Sequence, residues 1–330
     1  MSNEVTKRDG EHIPSVLDVF IKHIDSLAET LPLTIISIQI AETYTLRAYQ
    51  KFVSERCEQK QEGDEELILV EAPYVEQFNK LNNRLERIRI ASKTVPRSFV
   101  VSLVSHFDHF LGRLVKALFY LKPDMLRTSD RVLTLSQLLE FPSLEDAKEF
   151  ILEKEIETLL RKSHAEQFDW LETRFGIALR KDLPVWPSFI EVTERRNLFV
   201  HAGGVVSNQY LKVCNEHGYD VDIAVTPGTE FGVSKAYFES AYAAIYEIGV
   251  KLASVLWRKI APDELAQADT HLTNTCYALL KEGKYELAKI LLDFAVITLK
   301  RHADSNARRV YVVNRAQAYK WSAMNRALVI

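Results

Sequence analysis

Residues 98–121 read SFVVSLVSHFDHFLGRLVKALFYL. Within them Val100, Leu103, Val104, Phe107, Phe110, Leu111, Leu114, Leu118 and Leu121 recur at three- and four-residue intervals. Such spacing lays one apolar stripe along about six helical turns, which predicts a helix with a buried face. Pro123 closes it, because a proline disfavours helical geometry in the residue before it.

Outward toward the N-terminus the same periodicity continues. Val16, Leu17, Phe20, Ile21, Ile24 and Leu27 predict a helix over 14–30. After Pro32, LTIISIQIAETYTLRAYQKFV (33–53) opens on β-branched residues but is too long for a strand and reads as a second helix. The polar run EQKQEGDEE (58–66) reads as an exposed loop. Val75, Phe78, Leu81, Leu85, Ile88 and Ile90 predict a third helix over 74–93, and Pro96 is expected to start a new element.

On the other side, Ser143 with Asp146 forms a capping box in which aspartate replaces the usual glutamate, heading a helix from Leu144 to about Arg161. The segment with Phe168, Trp170, Leu171 and Phe175 continues helical to Gly176. Pro187 suits the first turn of the helix SFIEVTERRNLFVH (188–201), which Gly203 and Gly204 stop. Residues 205–234 are less regular, with VDIAV (221–225) reading as a short strand and TPGTEFG (226–232) as a turn. Ser234 precedes an aromatic-rich helix that ends at Pro262. Beyond it, Leu280, Gly283, Tyr285, Ala288 and Ala295 are spaced as in a tetratricopeptide unit, with Asn314, Ala316, Ala318 and Trp321 fitting part of a second. The expected fold is all-α: an N-terminal helical region (1–95), a central domain (96–260) and helical-repeat-like C-terminal helices (261–330).

Composition fits. The 330 residues are 47% hydrophobic and 26% charged, enough to bury a sizeable core, and eleven Gly with ten Pro are too few for a many-stranded sheet. A net charge of -3 supplies no bulk basic field for nucleic acid or an anionic membrane. Cys57, Cys214 and Cys276 are far apart and odd in number, which excludes a disulfide framework or a CxxC zinc site. The polar N-terminus lacks a signal peptide's apolar core and no long apolar run is evident, so a cytoplasmic protein without membrane insertion is expected.

ERRNLFVH (194–201) carries the chemistry. At about 100° per residue, Arg196 falls on the stripe occupied by Phe189, Val192, Thr193, Phe199 and Val200. A guanidinium there requires a carboxylate partner or an anion-binding cleft. Asn197 and His201 stack on one face with Glu194 a turn earlier, and His201 sits at the helix's negative end, which favours imidazolium. A proton-transfer role at neutral pH follows.

Arg196, a polar Asn197, then Leu198, Phe199, Val200 and His201 resemble the arginine-to-histidine signature of HEPN domains. SLVSHFDHFLGRLVKALFYLKPDML (102–126) is similar to their first long helix, and ERRNLFVHAGGVV (194–206) with GTEFGVSKAYFESAYAAIYEIGVKLASVLW (228–257) to their closing half, so the likeness spans about 96–258. It implies a helical bundle and a metal-independent endoribonuclease of toxin, abortive-infection or antiviral-defence type, needing no cofactor. The implied site is composite, formed by motif helices meeting across a homodimer, with RNA as substrate and a protein inhibitor or activator as a possible further partner. His201 would act as acid or base, Arg196 would hold the phosphate, and Asn197 would orient the histidine or contact the phosphate. Asp108, on a small-residue face with Ser105 and Gly112, is at the family's usual acidic position and is expected to pair with Arg196.

Weaker signals surround this set. Glu191 and Glu194 are candidate supporting groups, though a solvated helix face gives the same pattern. Arg195, Arg161, Lys162 and Arg180 could form a phosphate-binding rim, but scattered basic residues commonly form surface pairs. His106 and His109 offer at most two imidazoles without a third ligand, so no metal is expected. Tyr237, Phe238, Tyr242 and Tyr246 fit core packing better than base stacking. A different reading makes the chain a non-catalytic HEPN-like nucleotide- or RNA-binding scaffold whose C-terminal helices dock a partner around Tyr285 and Trp321.

Overall fold

The computed structural model describes residues 12–62, 65–124 and 132–327. The fold is all-α apart from one small hairpin. In order, it comprises α1 (Ile13–Arg56), β1 (Cys57–Glu62), β2 (Glu65–Val70), α2 (Val75–Leu121), α3 (Leu135–Leu139), α4 (Leu144–Leu160), α5 (His164–Phe175) and α6 (Trp186–His201). These are followed by α7 (Asn208–Glu216), α8 (Lys235–Ile260), α9 (Leu265–Lys281), α10 (Tyr285–Asp293) and α11 (Ser305–Ala327).

Three local expectations are corrected. The helices predicted to break at Pro32 and Pro96 are continuous through both prolines. A mid-helix proline removes one backbone bond and costs about 3 kcal/mol, but α1 and α2 pack along each other as an antiparallel pair and offset that local loss. Back-bonding hydroxyls flank both sites, Thr30 and Thr34 near Pro32 and Thr94 and Ser98 near Pro96, each donating to a carbonyl four residues earlier. Next, the polar run at 58–66 is largely strand: β1 pairs antiparallel with β2 from Cys57 opposite Val70 to Glu62 opposite Glu65. Finally, VDIAV is not a strand. The 205–234 region instead contains α7, capped by Ser207, and a single antiparallel bridge between Val205 and Glu230.

The long helices feed one continuous apolar core that reaches from Ile13 on α1 to Ala318 on α11. At its centre Phe20 stacks on Phe110, with ring centroids 4.4 Å apart. Gly249 of α8 makes this possible, because a Cβ there would lie 2.4 Å from Phe20 Cε1. Phe238, Tyr242 and Tyr246 of α8 are buried as their spacing predicts. A smaller cluster of Leu198, Val206, Tyr210 and Cys214 lies under α7.

Toward the hairpin, α1 leaves this core. Leu33, Ile36, Ile40 and Tyr44 are exposed at spacings of three and four. By length and composition α1 is long and apolar enough to cross a membrane, in contrast to the expectation that the chain holds no long apolar run.

Candidate active site

Three helices bring the candidate residues together. α2 presents Asp108, α5 begins with His164, and α6 carries Glu191 through His201. α5 starts sharply because Ser163 and Glu166 form a reciprocal capping box, fixing His164 in the first helical turn. α4 approaches α2 closely at Gly112, where a Cβ would lie 3.1 Å from Leu160 Cδ1, so the small-residue face does receive a helix.

The expected carboxylate partner of Arg196 is present. Arg196 Nη2 donates to Asp108 Oδ2 at 2.6 Å, and the other carboxylate oxygen, Oδ1, lies 2.9 Å from His164 Nε2. His164 is buried and its ring edges onto Phe189, while Arg196 and Asp108 remain about a fifth to a quarter exposed, with side chains at 21% and 26%. Arg196 Nη1 also donates to Asn197 Oδ1 at 3.3 Å, and Asn197 Nδ2 donates to Glu194 Oε1 at 3.4 Å. Arg196 Nε is buried with no acceptor among the described residues. His164, Asp108, Arg196, Asn197 and Glu194 therefore form a chain of polar contacts on the rim of the core.

Burial pushes the Glu194 carboxyl above its ordinary range, against the opposing influence of His164, Asn197 and Arg196. His201 is exposed in the last turn of α6 and makes no hydrogen bond or ion pair with any described residue. It shares a face with Asn197, about 6 Å further along the axis.

The structure assigns other candidates elsewhere. Glu191 is not on a solvated face. It is buried, accepting from Arg195 Nε at 2.6 Å, Tyr210 Oη at 2.7 Å and Tyr237 Oη at 3.0 Å. Arg195 is likewise turned inward, its guanidinium 3.9 Å from the ring centres of both Phe231 and Tyr237, so it is no part of an exposed basic rim. Arg180 is held by Asp169 and Glu172, and Arg161 bonds to Glu157 on α4. Lys162 is exposed, two residues before His164. His106 packs against His23, with ring centroids 4.7 Å apart; burial, then His23 and His109, lowers its proton affinity.

Two functional-site neighbours have no counterpart among the sequence candidates. His164 carries no local signal beyond its position after a capping serine. Arg97 locks the turn after His201: Nη1 donates to Gly203 O at 2.9 Å, and Nη2 to Phe231 O and Glu230 Oε1, both at 2.6 Å. Gly204 has a φ of 86°, and a Cβ there would meet the Arg97 guanidinium at 3.1 Å, so glycine is required both by backbone geometry and by space. The end of α6 is thereby fixed to α2, which carries Asp108.

Chemically, a part-exposed guanidinium anchored by one carboxylate, an adjacent amide and a solvent-facing imidazole on the same helix can bind an oxyanion and move a proton beside it. Compared with known protein families, with characterised proteins and with solved structures, the chain matches none.

Proposed function

We propose that the chain is a metal-independent endoribonuclease that cleaves RNA by attack of the 2′-hydroxyl on the adjacent phosphorus. The observation that carries this reading is the anchoring of Arg196 by Asp108 on the helix that ends in free His201. In the reaction, His201 transfers a proton to or from the sugar hydroxyl or the leaving oxygen, and Arg196 balances charge on the non-bridging oxygens. Asn197 orients the phosphate, Asp108 positions Arg196, and His164 holds Asp108. The site is composite, built from two α6 helices across the two-fold of a homodimer, which a symmetric interface would make self-complementary. The likeness to HEPN toxins supports a role in toxicity or antiviral defence in the cytoplasm, with RNA as substrate and a protein inhibitor or activator as regulator.

The test is RNA cleavage in chelator by the wild type, Arg196→Ala and His201→Ala. Both variants should lose activity while remaining folded by circular dichroism. Wild-type-like cleavage by both defeats the proposal, and loss of wild-type cleavage in chelator defeats metal independence. Mixing the two variants probes the composite site. Partial recovery is expected if each subunit contributes to a shared centre.

A second reading, a non-catalytic scaffold whose C-terminal helices dock a partner, draws on one observation. Tyr285 and Trp321 stack on each other rather than entering the core, and Trp321, Tyr319 and Val313 of α11 are exposed. Intact RNA in the assay above, together with a partner lost on Trp321→Ala, would favour it.

A further inference from the structure

A cleft of about 240 Å³ lies between α1 and α9, lined also by Tyr246 of α8. Asp18, Ile21 and Asp25 face it from one side of α1, and His271 and Leu279 from α9, with Glu282 just beyond the end of that helix. None of these belongs to the Arg196 site.

Its charge is unbalanced. Lys284 Nζ lies 2.9 Å from Asp25 Oδ1 and 2.8 Å from Glu282 Oε2, so one ammonium serves two carboxylates. Among the described residues Asp18 bonds to the His271 imidazole, Oδ1 to Nε2 at 2.9 Å. Three carboxylates thus border the cleft with one ammonium, Lys284, shared between two of them and the His271 imidazole on the third.

Tyr246 supplies an independent observation. The residue is only 2% exposed and lines the cleft, and its hydroxyl makes no hydrogen bond with any described residue. A ligand donor entering the cleft would find this oxygen without a protein partner. Burial first, then Tyr242 and Asp25, pushes its proton affinity up, keeping it neutral.

The arrangement fits an elongated cation better than a metal ion. Among the described residues no group of metal-ligating side chains converges. Asp18 and Asp25 are seven residues apart, about 10 Å along the axis of α1, with Ile21 between them and Leu279 also on the lining. The cleft thus carries carboxylates at both ends and apolar side chains in the middle. We propose that it binds an aliphatic diamine or polyamine, one ammonium at Asp18, the other at Asp25, Glu282 and Tyr246, the methylene chain lying over Ile21 and Leu279.

Calorimetric titration of the full chain with spermidine and putrescine tests this, with butylamine, magnesium chloride at matched ionic strength and a lysine-containing peptide as comparisons. One saturable site is expected for a diamine or polyamine, with butylamine roughly tenfold weaker for want of one charge-assisted contact. Asp18→Asn and Tyr246→Phe should each weaken binding by about the same factor without altering the circular dichroism spectrum. Absence of saturable binding at millimolar spermidine overturns the proposal. So does equal binding of magnesium, which marks counterion attraction only, or unchanged affinity in both variants. A peptide lysine that binds as tightly as putrescine overturns it in favour of a docked side chain.

Discussion

Asp108 bonds two cationic or polarisable groups with its two oxygens, Arg196 on one and His164 on the other. Asp108→Asn keeps the shape but removes the charge that fixes the guanidinium. RNA cleavage should fall by roughly a hundredfold, as when a charged positioning contact of about 3 kcal/mol is lost, with a smaller change in substrate affinity. Separate measurement of kcat and KM checks this, and an unchanged kcat would show that Asp108 does not position Arg196 for chemistry. Glu194 gives a pH prediction. Burial raises its folded-state proton affinity above the unfolded value, so the folded protein binds the proton more tightly and loses stability as pH rises from the ordinary carboxylate range through the raised one. Glu194→Gln should therefore flatten that fall and leave the variant relatively more stable at neutral pH, as urea melts at pH 5 and pH 8 would show. Of these candidates, Arg196, Asn197 and His201 stood out by their places on one helix, and Asp108 by the likeness to HEPN domains. His164 and Arg97 did not, since their partners lie 56 and 106 residues away and nothing in the local pattern selects them.

At the scale of elements, helical periodicity was legible and helix continuity was not. Pro32 and Pro96 are strong local breakers, and only the packing of α1 along α2 carries the helices past them. Pro32 is exposed, so Pro32→Ala should restore the missing backbone bond without disturbing the core and stabilise the protein by about 1–3 kcal/mol, read as a higher denaturant midpoint at unchanged slope. An equal or lower midpoint would mean that the proline's restriction of the unfolded chain outweighs the bond. The hairpin is not legible locally for a related reason: CEQKQE has no apolar alternation, and its strand form is set by pairing with EELILV. Gly249 leaves room on α8 for the Phe20 ring of α1. Gly249→Ala places a methyl group against the Phe20 ring, and overpacking of this kind should destabilise by roughly 1–3 kcal/mol, measurable by thermal melting. Phe20→Leu in the same background should recover part of the loss.

Across the whole molecule, Asp269 fastens the C-terminal helices to the body. Its carboxylate is buried, which opposes ionisation, but bonds from Ala303 N, Arg258 Nη2 and His302 Nδ1 outweigh that and hold it below the ordinary aspartate range. Asp269→Ala would strand a buried arginine and should cost about 3–5 kcal/mol, with protease sensitivity appearing first in α11. The continuous helices have a consequence for shape. α1 and α2 contain 44 and 47 residues, so at about 1.5 Å per residue each is roughly 65–70 Å long, longer than the roughly 50 Å diameter of a compact sphere whose radius of gyration is about 20 Å, as expected for this length. Small-angle scattering should show a pair-distance tail reaching the helix length. From Asp108 to the start of α2 at Val75 is about 50 Å along the axis, so a tilt of about 5° at the level of Asp108 swings the hairpin through roughly 4 Å. The arm is a lever whose short end holds the carboxylate that grips Arg196.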